Sequence, residues 1–360
     1  MTASPYIPLF ELTRGTIVES IHYGAAAVVD THGHLVAWLG NPQVVTFLRS
    51  TAKPLQALPF IEQGGATKFG LTISEIAILC ASHSGTDEHC ATISSIHAKV
   101  GSNENDLLCG THMPSDPATA RSMQTRGERP TQNRHNCSGK HTGMLAFARL
   151  NNWPIDDYIN PNHPVQHTIL HSFAEMSDLP IEQIHIGIDG CSAPNFAIPL
   201  KNAALAFVHL CDPSRLPERR AVACQTITTA MMTYPGMVGG PDSFDTHLMQ
   251  VMPGKLVCKG GAEGYQGIGL LPGALGPGSP AFGIAVKISD GDLGGRARFP
   301  GDTGAHARPA VVLEILRQLG AISDDELLAL TQFTRSYQLQ NWRGLIVGEG
   351  KSCFNLERKR

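Results

Sequence analysis

The sequence lacks any long apolar run. No stretch approaches the roughly 20 residues that span a bilayer, so no membrane-spanning helix is expected. It also lacks a basic stripe. Lys and Arg total 28 against 31 Asp and Glu, a formal net charge of -3, and the few aromatics are not interleaved with them. Nucleic-acid partners are therefore not expected, and the Arg-Lys-Arg run at the C-terminus reads as a solvated tail. The opening residues, 1–14, have no basic leader region, and Pro5, Pro8 and Glu11 interrupt their apolar residues. That pattern excludes a secretory leader and points to a cytoplasmic protein. A paired-cysteine framework is missing as well. Nine cysteines, an odd number at wide spacing, read as reduced thiols, mostly buried as small apolar residues, with a few left to act as ligands or reactive groups.

What is present suffices for a sizeable core. The chain has 360 residues, of which 42% are hydrophobic, enough for one large domain or two ordinary ones. Strand patterns stand at the two ends. Residues 16–30 are rich in Val, Ile and Ala, and 35–39 follow the turn Thr31-His32-Gly33-His34, which predicts a β-hairpin. Residues 255–259, 265–271, 282–289 and 345–347 predict further strands, separated by Gly and Pro clusters. The middle carries apolar residues at helical spacing over 50–63, 74–81, 86–100, 118–126, 138–150, 165–176, 200–211 and 217–232. A last helix is predicted over 310–319, with Pro309 just before it. Lone strands must pair, so the two ends are expected to share one mainly antiparallel sheet. The expected organisation is an α/β (α+β) fold. A discontinuous sheet domain covers 1–66 and 253–350, a mainly helical insertion covers 67–252, and 351–360 form a tail.

Five constellations carry chemistry-bearing residues. In Arg49-Ser50-Thr51-Ala52-Lys53, Ser and Lys at i and i+3 fall on one helix face, one turn apart. A serine hydroxyl needs a base to become a nucleophile, and a desolvated lysine can be that base. Backbone N–H groups at a helix start would face the developing negative charge. Alone, this spacing reads as an ordinary helix start. In Cys80-Ala81-Ser82-His83-Ser84-Gly85-Thr86, small polar residues crowd a junction between helices, which alone reads as a turn capped by Thr86. In His135-Asn136-Cys137-Ser138-Gly139-Lys140-His141, polar and reactive side chains precede an apolar helix with Ser138 as its cap. The density there favours function, although the phosphate-loop pattern is absent. In Gly187-Ile188-Asp189-Gly190-Cys191, a short strand at 185–188 ends in an acid and a thiol. Cys137 and Cys191 are candidate soft metal ligands, with a third from Lys140, a His or Asp189. From spacing alone, buried inert thiols are the simpler reading. In Lys259-Gly260-Gly261, a strand ends in Lys-Gly-Gly, as in serine hydrolases of the S-x-x-K type.

In this order, Arg49-Ser-Thr-Ala-Lys-Pro-Leu-Gln, Ala81-Ser-His-Ser-Gly, Asn136-Cys-Ser-Gly-Lys-His, Asp189-Gly-Cys and Lys259-Gly-Gly resemble the Rhizobium-type (class 3) L-asparaginases. The resemblance runs over residues 12–348. It implies a fold related to the serine β-lactamases and glutaminases, and hydrolysis of asparagine to aspartate and ammonia. It implies Ser50 with Lys53 as the nucleophile pair and Ser82 with Lys259 as a second Ser–Lys pair. Arg49, His83, Ser84, Asp189 and Gly260 join them at the substrate. It also implies one zinc ion per chain, held near the active site by Cys137, Lys140 and Cys191, and a homodimer. Two rivals stay open on the sequence. A penicillin-binding or β-lactamase-type hydrolase on the same scaffold would turn over nitrocefin. A zinc-containing amino-acid sensor would bind asparagine and release no ammonia.

Overall fold

In the computed structural model, residues 4–293 and 306–359 are described. Residues 1–3 and 294–305 of the expected sheet domain, and residue 360 of the expected tail, lie outside them. The described strands are β1 (Ile7–Arg14), β2 (Ile17–Val29), β3 (Leu35–Leu39), β4 (Val45–Phe47), β5 (His185–Ile188), β6 (Pro194–Pro199), β7 (Leu256–Gly261), β8 (Tyr265–Leu270), β9 (Phe282–Ile288), β10 (Ser336–Gln340), β11 (Ile346–Ser352) and β12 (Glu357–Arg358).

Both ends of the chain do meet in one antiparallel sheet. Its order is β10-β11-β1-β2-β9-β8-β7, with β3 also paired to β2 and β12 paired to β3. The expected hairpin is β2–β3, with Ala26 opposite Leu39 and Val28 opposite Ala37. The run Ala25–Val29 is fully buried and does not alternate. That is the pattern of a strand covered on both faces. The helix Leu200–Cys211 packs on β2, β8 and β9, and the helix Ala307–Leu319 packs on β1, β8, β9 and β11. Every residue of β8 is buried between them.

The helical remainder surrounds the helix Lys53–Glu62, which is buried from Lys53 to Ile61. It packs against the helices Ser138–Leu150, Pro164–Ser177 and Glu218–Thr233. A small second sheet, β4-β6-β5, stands beside the start of that helix.

Four readings change. The helix Leu200–Cys211, expected within the insertion, covers the main sheet, because its apolar face matches the buried runs of β8 and β9. The expected tail adds the end of β11 and the edge strand β12. Pro309 lies inside the first turn of Ala307–Leu319, where a missing N–H costs no helical bond. Ser138 is the first helical residue and not the cap; its hydroxyl instead donates to the Asn133 and His135 carbonyls. Among the described residues, no helix is long and apolar enough to cross a membrane.

Candidate active site

Ser50 stands in a tight turn of 3-10 helix, Arg49–Ala52, that runs into the helix Lys53–Glu62. The residue before it, Arg49, has φ 53. A side chain in that left-handed region is strained, and here the strain is held from both sides. Arg49 donates to Asp189 from Nη2 (2.8 Å) and Nε (3.1 Å), and lies 3.7 Å from Glu263. Burial would raise the Asp189 carboxyl, but the Arg49 bond and Lys140 hold it below the usual carboxylate range. Across the turn, Thr51 Oγ1 donates to the Lys259 carbonyl at 3.0 Å. Gly261 lies so close that a Cβ there would sit 2.4 Å from Leu48 O and 2.9 Å from Thr51 Oγ1. Only glycine lets the end of β7 approach the serine turn this closely.

Lys53 is 1% exposed. Its Nζ donates to Ala81 O (2.7 Å) and Asn136 O (3.4 Å) and meets Ser82 Oγ at 2.8 Å. The Ala81 carbonyl follows the helix Ile73–Leu79, whose end leaves carbonyls without helical partners. One lysine therefore ties three segments together. No described hydrogen bond joins Lys53 to Ser50 or Lys259 to Ser82. Among the described hydrogen bonds, the hydroxyl partner of Lys53 is Ser82, because its side chain runs toward those carbonyls.

Lys259, on β7, is also 1% exposed. Its Nζ donates to Gly260 O at 2.7 Å and lies 3.6 Å from Asp245 Oδ2. Burial pushes its pKa down to about 8; Asp245 opposes that shift, and the charges of Lys53 and Arg308 reinforce it. Asp245 itself accepts from Gly260 N (2.6 Å) and Gln266 Nε2 (2.9 Å). Burial would raise its carboxyl, and Lys259 and Arg308 hold it low. Arg308 donates from Nη1 to Gly261 O (2.8 Å) and Tyr265 O (3.3 Å). Ser50, Ser82, Lys259, Gly260, Asp245 and Arg308 line one cavity of about 270 Å³.

Beside it, Cys137, Lys140 and Cys191 come together from two segments. Lys140 Nζ donates to Cys191 Sγ at 2.9 Å, and all three residues are buried. Gly139 allows this: its Cα abuts Ile78 O, where a Cβ would come within 2.1 Å. A hydrogen bond from Cys191 and, against burial, the charges of Lys53 and Lys140 hold the Cys137 thiol well below its ordinary range. Burial would lower Lys140; the Cys191 and Cys137 sulfurs outweigh it and raise it. His141, on the same helix turn, is buried with its Nδ1 on Tyr158 and its ring in hydrogen-bonding reach of Cys191. Among the described residues no group of three or more His, Cys, Asp or Glu is arranged to hold a metal. Two thiols and, once it gives up its proton, the Lys140 amine nonetheless fit a soft divalent ion.

This chain matches the L-asparaginase II family over residues 10–352. It belongs to that family. The match makes it an amide hydrolase. No curated protein matches it. Among solved structures it is similar to the Bacillus subtilis glutaminase YbgJ in covalent complex with 5-oxo-L-norleucine, at 9% identity and a TM-score of 0.38, over 83% of this chain and 88% of that one. A Bacillus glutaminase in 4.3 M NaCl is similar at 11% identity and a TM-score of 0.38, over 83% of this chain and 91% of that one.

In this L-asparaginase II family member, not every residue expected at the substrate reaches the cavity. His83 is 1% exposed. Its ring is spent on Ser138 Oγ (2.9 Å) and Gly85 N (3.1 Å) and stacks on His89, centroids 4.9 Å apart. Burial, followed by the neighbouring His89 and Lys53, keeps it neutral by lowering its pKa well below normal. Ser84 Oγ is buried against Gly240, with no hydrogen-bond partner among the described residues. Ser82 lines the cavity, whereas His83 is held by Ser138 and Ser84 by the close approach of Gly240. Arg49 and Asp189 pair at the edge of the site and are not among the cavity-lining residues. Conversely, Asp245 and Arg308 line the cavity and were not expected from the sequence. Each lies in an ordinary amphipathic helix, Phe244–Val251 and Ala307–Leu319, and no local spacing distinguishes them from surface charges.

Proposed function

We propose that this amide hydrolase is an L-asparaginase in which Ser50 attacks the side-chain amide carbon of asparagine. The observation that carries the reading is the convergence of Ser50, Ser82 and Lys259 on one cavity, with Lys53 bonded to Ser82 beneath it. Lys53, when neutral, donates its two N–H bonds to the Ala81 and Asn136 carbonyls. Its lone pair then faces Ser82. The Ser50 proton passes to Ser82 as the Ser82 proton passes to Lys53. The new Ser50 Oγ–carbon bond leaves a tetrahedral oxyanion. Ser50, in a first helical turn, and Ala262 line the cavity, and their backbone N–H groups would supply the donors. Collapse breaks the C–N bond, the stored proton leaves with ammonia, and water hydrolyses the ester by the same route. Lys259, with its pKa near 8, sits against this charge and tunes the proton relay. Cys137, Lys140 and Cys191 would hold a zinc ion, which supplies a Lewis acid for placing the substrate's amino-acid end.

The bond between Lys53 and Ser82 favours a second reading, in which Ser82 is the nucleophile. A diazo-ketone analogue of asparagine followed by peptide mapping separates the two: the adduct is expected on the Ser50 peptide, and an adduct on the Ser82 peptide reverses the assignment. The function itself is tested by ammonia release from asparagine, with glutamine as comparison, before and after chelation. A wild type that releases no ammonia from asparagine overturns the proposal, and a marked preference for glutamine reassigns the substrate.

A further inference from the structure

The cavity that holds Ser50 is unbalanced in charge. Its charged lining groups are Lys259, Arg308 and Asp245, with Lys53 directly beneath. Among the described residues the single carboxylate of the lining is committed: Asp245 accepts from Gly260 N and Gln266 Nε2 and lies 3.6 Å from Lys259 Nζ. Among the described residues Arg308 is committed through Nη1 alone. Nη1 is held by the carbonyls of Gly261 and Tyr265, while Nε is buried with no hydrogen-bond partner. The guanidinium lies over Gly260: a Cβ there would come 3.2 Å from Nη1. Its plane is thus fixed beside the Lys-Gly-Gly strand end, in the same cavity as Ser50.

A fixed guanidinium with spare donors, in a pocket with surplus positive charge, is matched by a planar anion with two oxygens. We infer that Arg308 binds the α-carboxylate of the substrate and thereby restricts the enzyme to free amino acids with a side-chain amide. The inference rests on the reading that Ser50 attacks that amide. A peptidyl asparagine, whose α-carboxyl is an amide, offers no charge to this residue and is not expected as a substrate.

The test compares wild type, Arg308→Lys and Arg308→Met on asparagine and on 3-aminopropanamide, which is asparagine without its carboxylate. Calorimetry of L-aspartate binding provides a readout independent of turnover. Charged hydrogen bonds of this kind are worth roughly 10- to 100-fold in binding. Arg308→Met is expected to raise KM for asparagine by at least about tenfold with a much smaller change in kcat. It is also expected to weaken aspartate binding comparably and to collapse the preference for asparagine over 3-aminopropanamide. Arg308→Lys should recover part of each. A folded Arg308→Met protein that keeps the wild-type KM and aspartate affinity overturns the inference. If Arg308→Met does not fold, Arg308→Lys decides by the same two constants. Absence of turnover in wild type would instead strike the amide-hydrolysis reading, and the calorimetric comparison would still decide the role of Arg308.

Discussion

Replacing Asp245 by Asn should move the pH at which the enzyme gains activity toward acid. Asp245 is 6% exposed, and its Oδ2 lies 3.6 Å from the Nζ of Lys259. Burial lowers Lys259 to about 8, and the Asp245 carboxylate works against that shift by favouring the ammonium. Removing the negative charge therefore lets Lys259 release its proton at lower pH. Two unit charges at about this separation attract by roughly 4 kcal/mol at an effective dielectric of about 20. Since about 1.4 kcal/mol corresponds to one pH unit, the ceiling is roughly 3 units. Solvent and side-chain relaxation reduce it, so a displacement of about 1 to 3 pH units is expected in the rising limb of kcat/KM. Asparagine keeps an oxygen for the Gly260 N–H, so the strand end stays in place. The other charges facing Lys259, from Lys53 on its helix and Arg308 on another, are unchanged and push the same way. The assay is the initial rate of ammonia release at subsaturating asparagine from about pH 6 to 10. A rising limb at the wild-type position, or one moved to higher pH, would refute the coupling and with it the part of Lys259 in the proton relay.

Ser50→Ala should reduce ammonia release by about 10³-fold or more while leaving the thermal melt unchanged; retention of a substantial fraction of the rate removes Ser50 as nucleophile. Lys53→Met should abolish turnover and also destabilise the fold by about 2 to 4 kcal/mol in urea titration, because the buried Ala81 and Asn136 carbonyls lose their donor. Gly261→Ala should cost about 1 to 3 kcal/mol and lower kcat, since its Cβ would press on Leu48 O at 2.4 Å and displace the serine turn; wild-type stability would mean that the two segments separate freely. Elemental analysis should find up to one zinc per wild-type chain and none in the Cys137→Ala, Cys191→Ala double variant, with chelation raising KM more than it lowers kcat.

The sequence by itself determined the elements with strong periodicity and the motifs with dense polar residues. The helix over 200–211 and the strand over 185–188 have the predicted bounds, because apolar spacing and flanking Pro, Gly and Asp settle them locally. Ser50, Lys53, Ser82, Lys259 and the Cys137–Lys140–Cys191 set are legible in the sequence, since each lies in a short run of unusual composition. Strands β1, β4, β6, β10 and the short edge strand β12 carry no such signal. β1 carries Pro8 near a bulge against β2, β4 has three residues, β6 begins and ends with proline, and β10 is polar on the sheet edge. Their strand state comes from partners far along the chain. Tertiary structure alone decided the rest. It turned Lys53 toward Ser82, buried His83 against Ser138, and brought Asp245 and Arg308 to the cavity from helices whose sequences announce only an amphipathic face. The reason is physical: helical or strand periodicity fixes which face a side chain occupies, whereas the charge that faces it across a cavity depends on contacts between segments that no local spacing encodes.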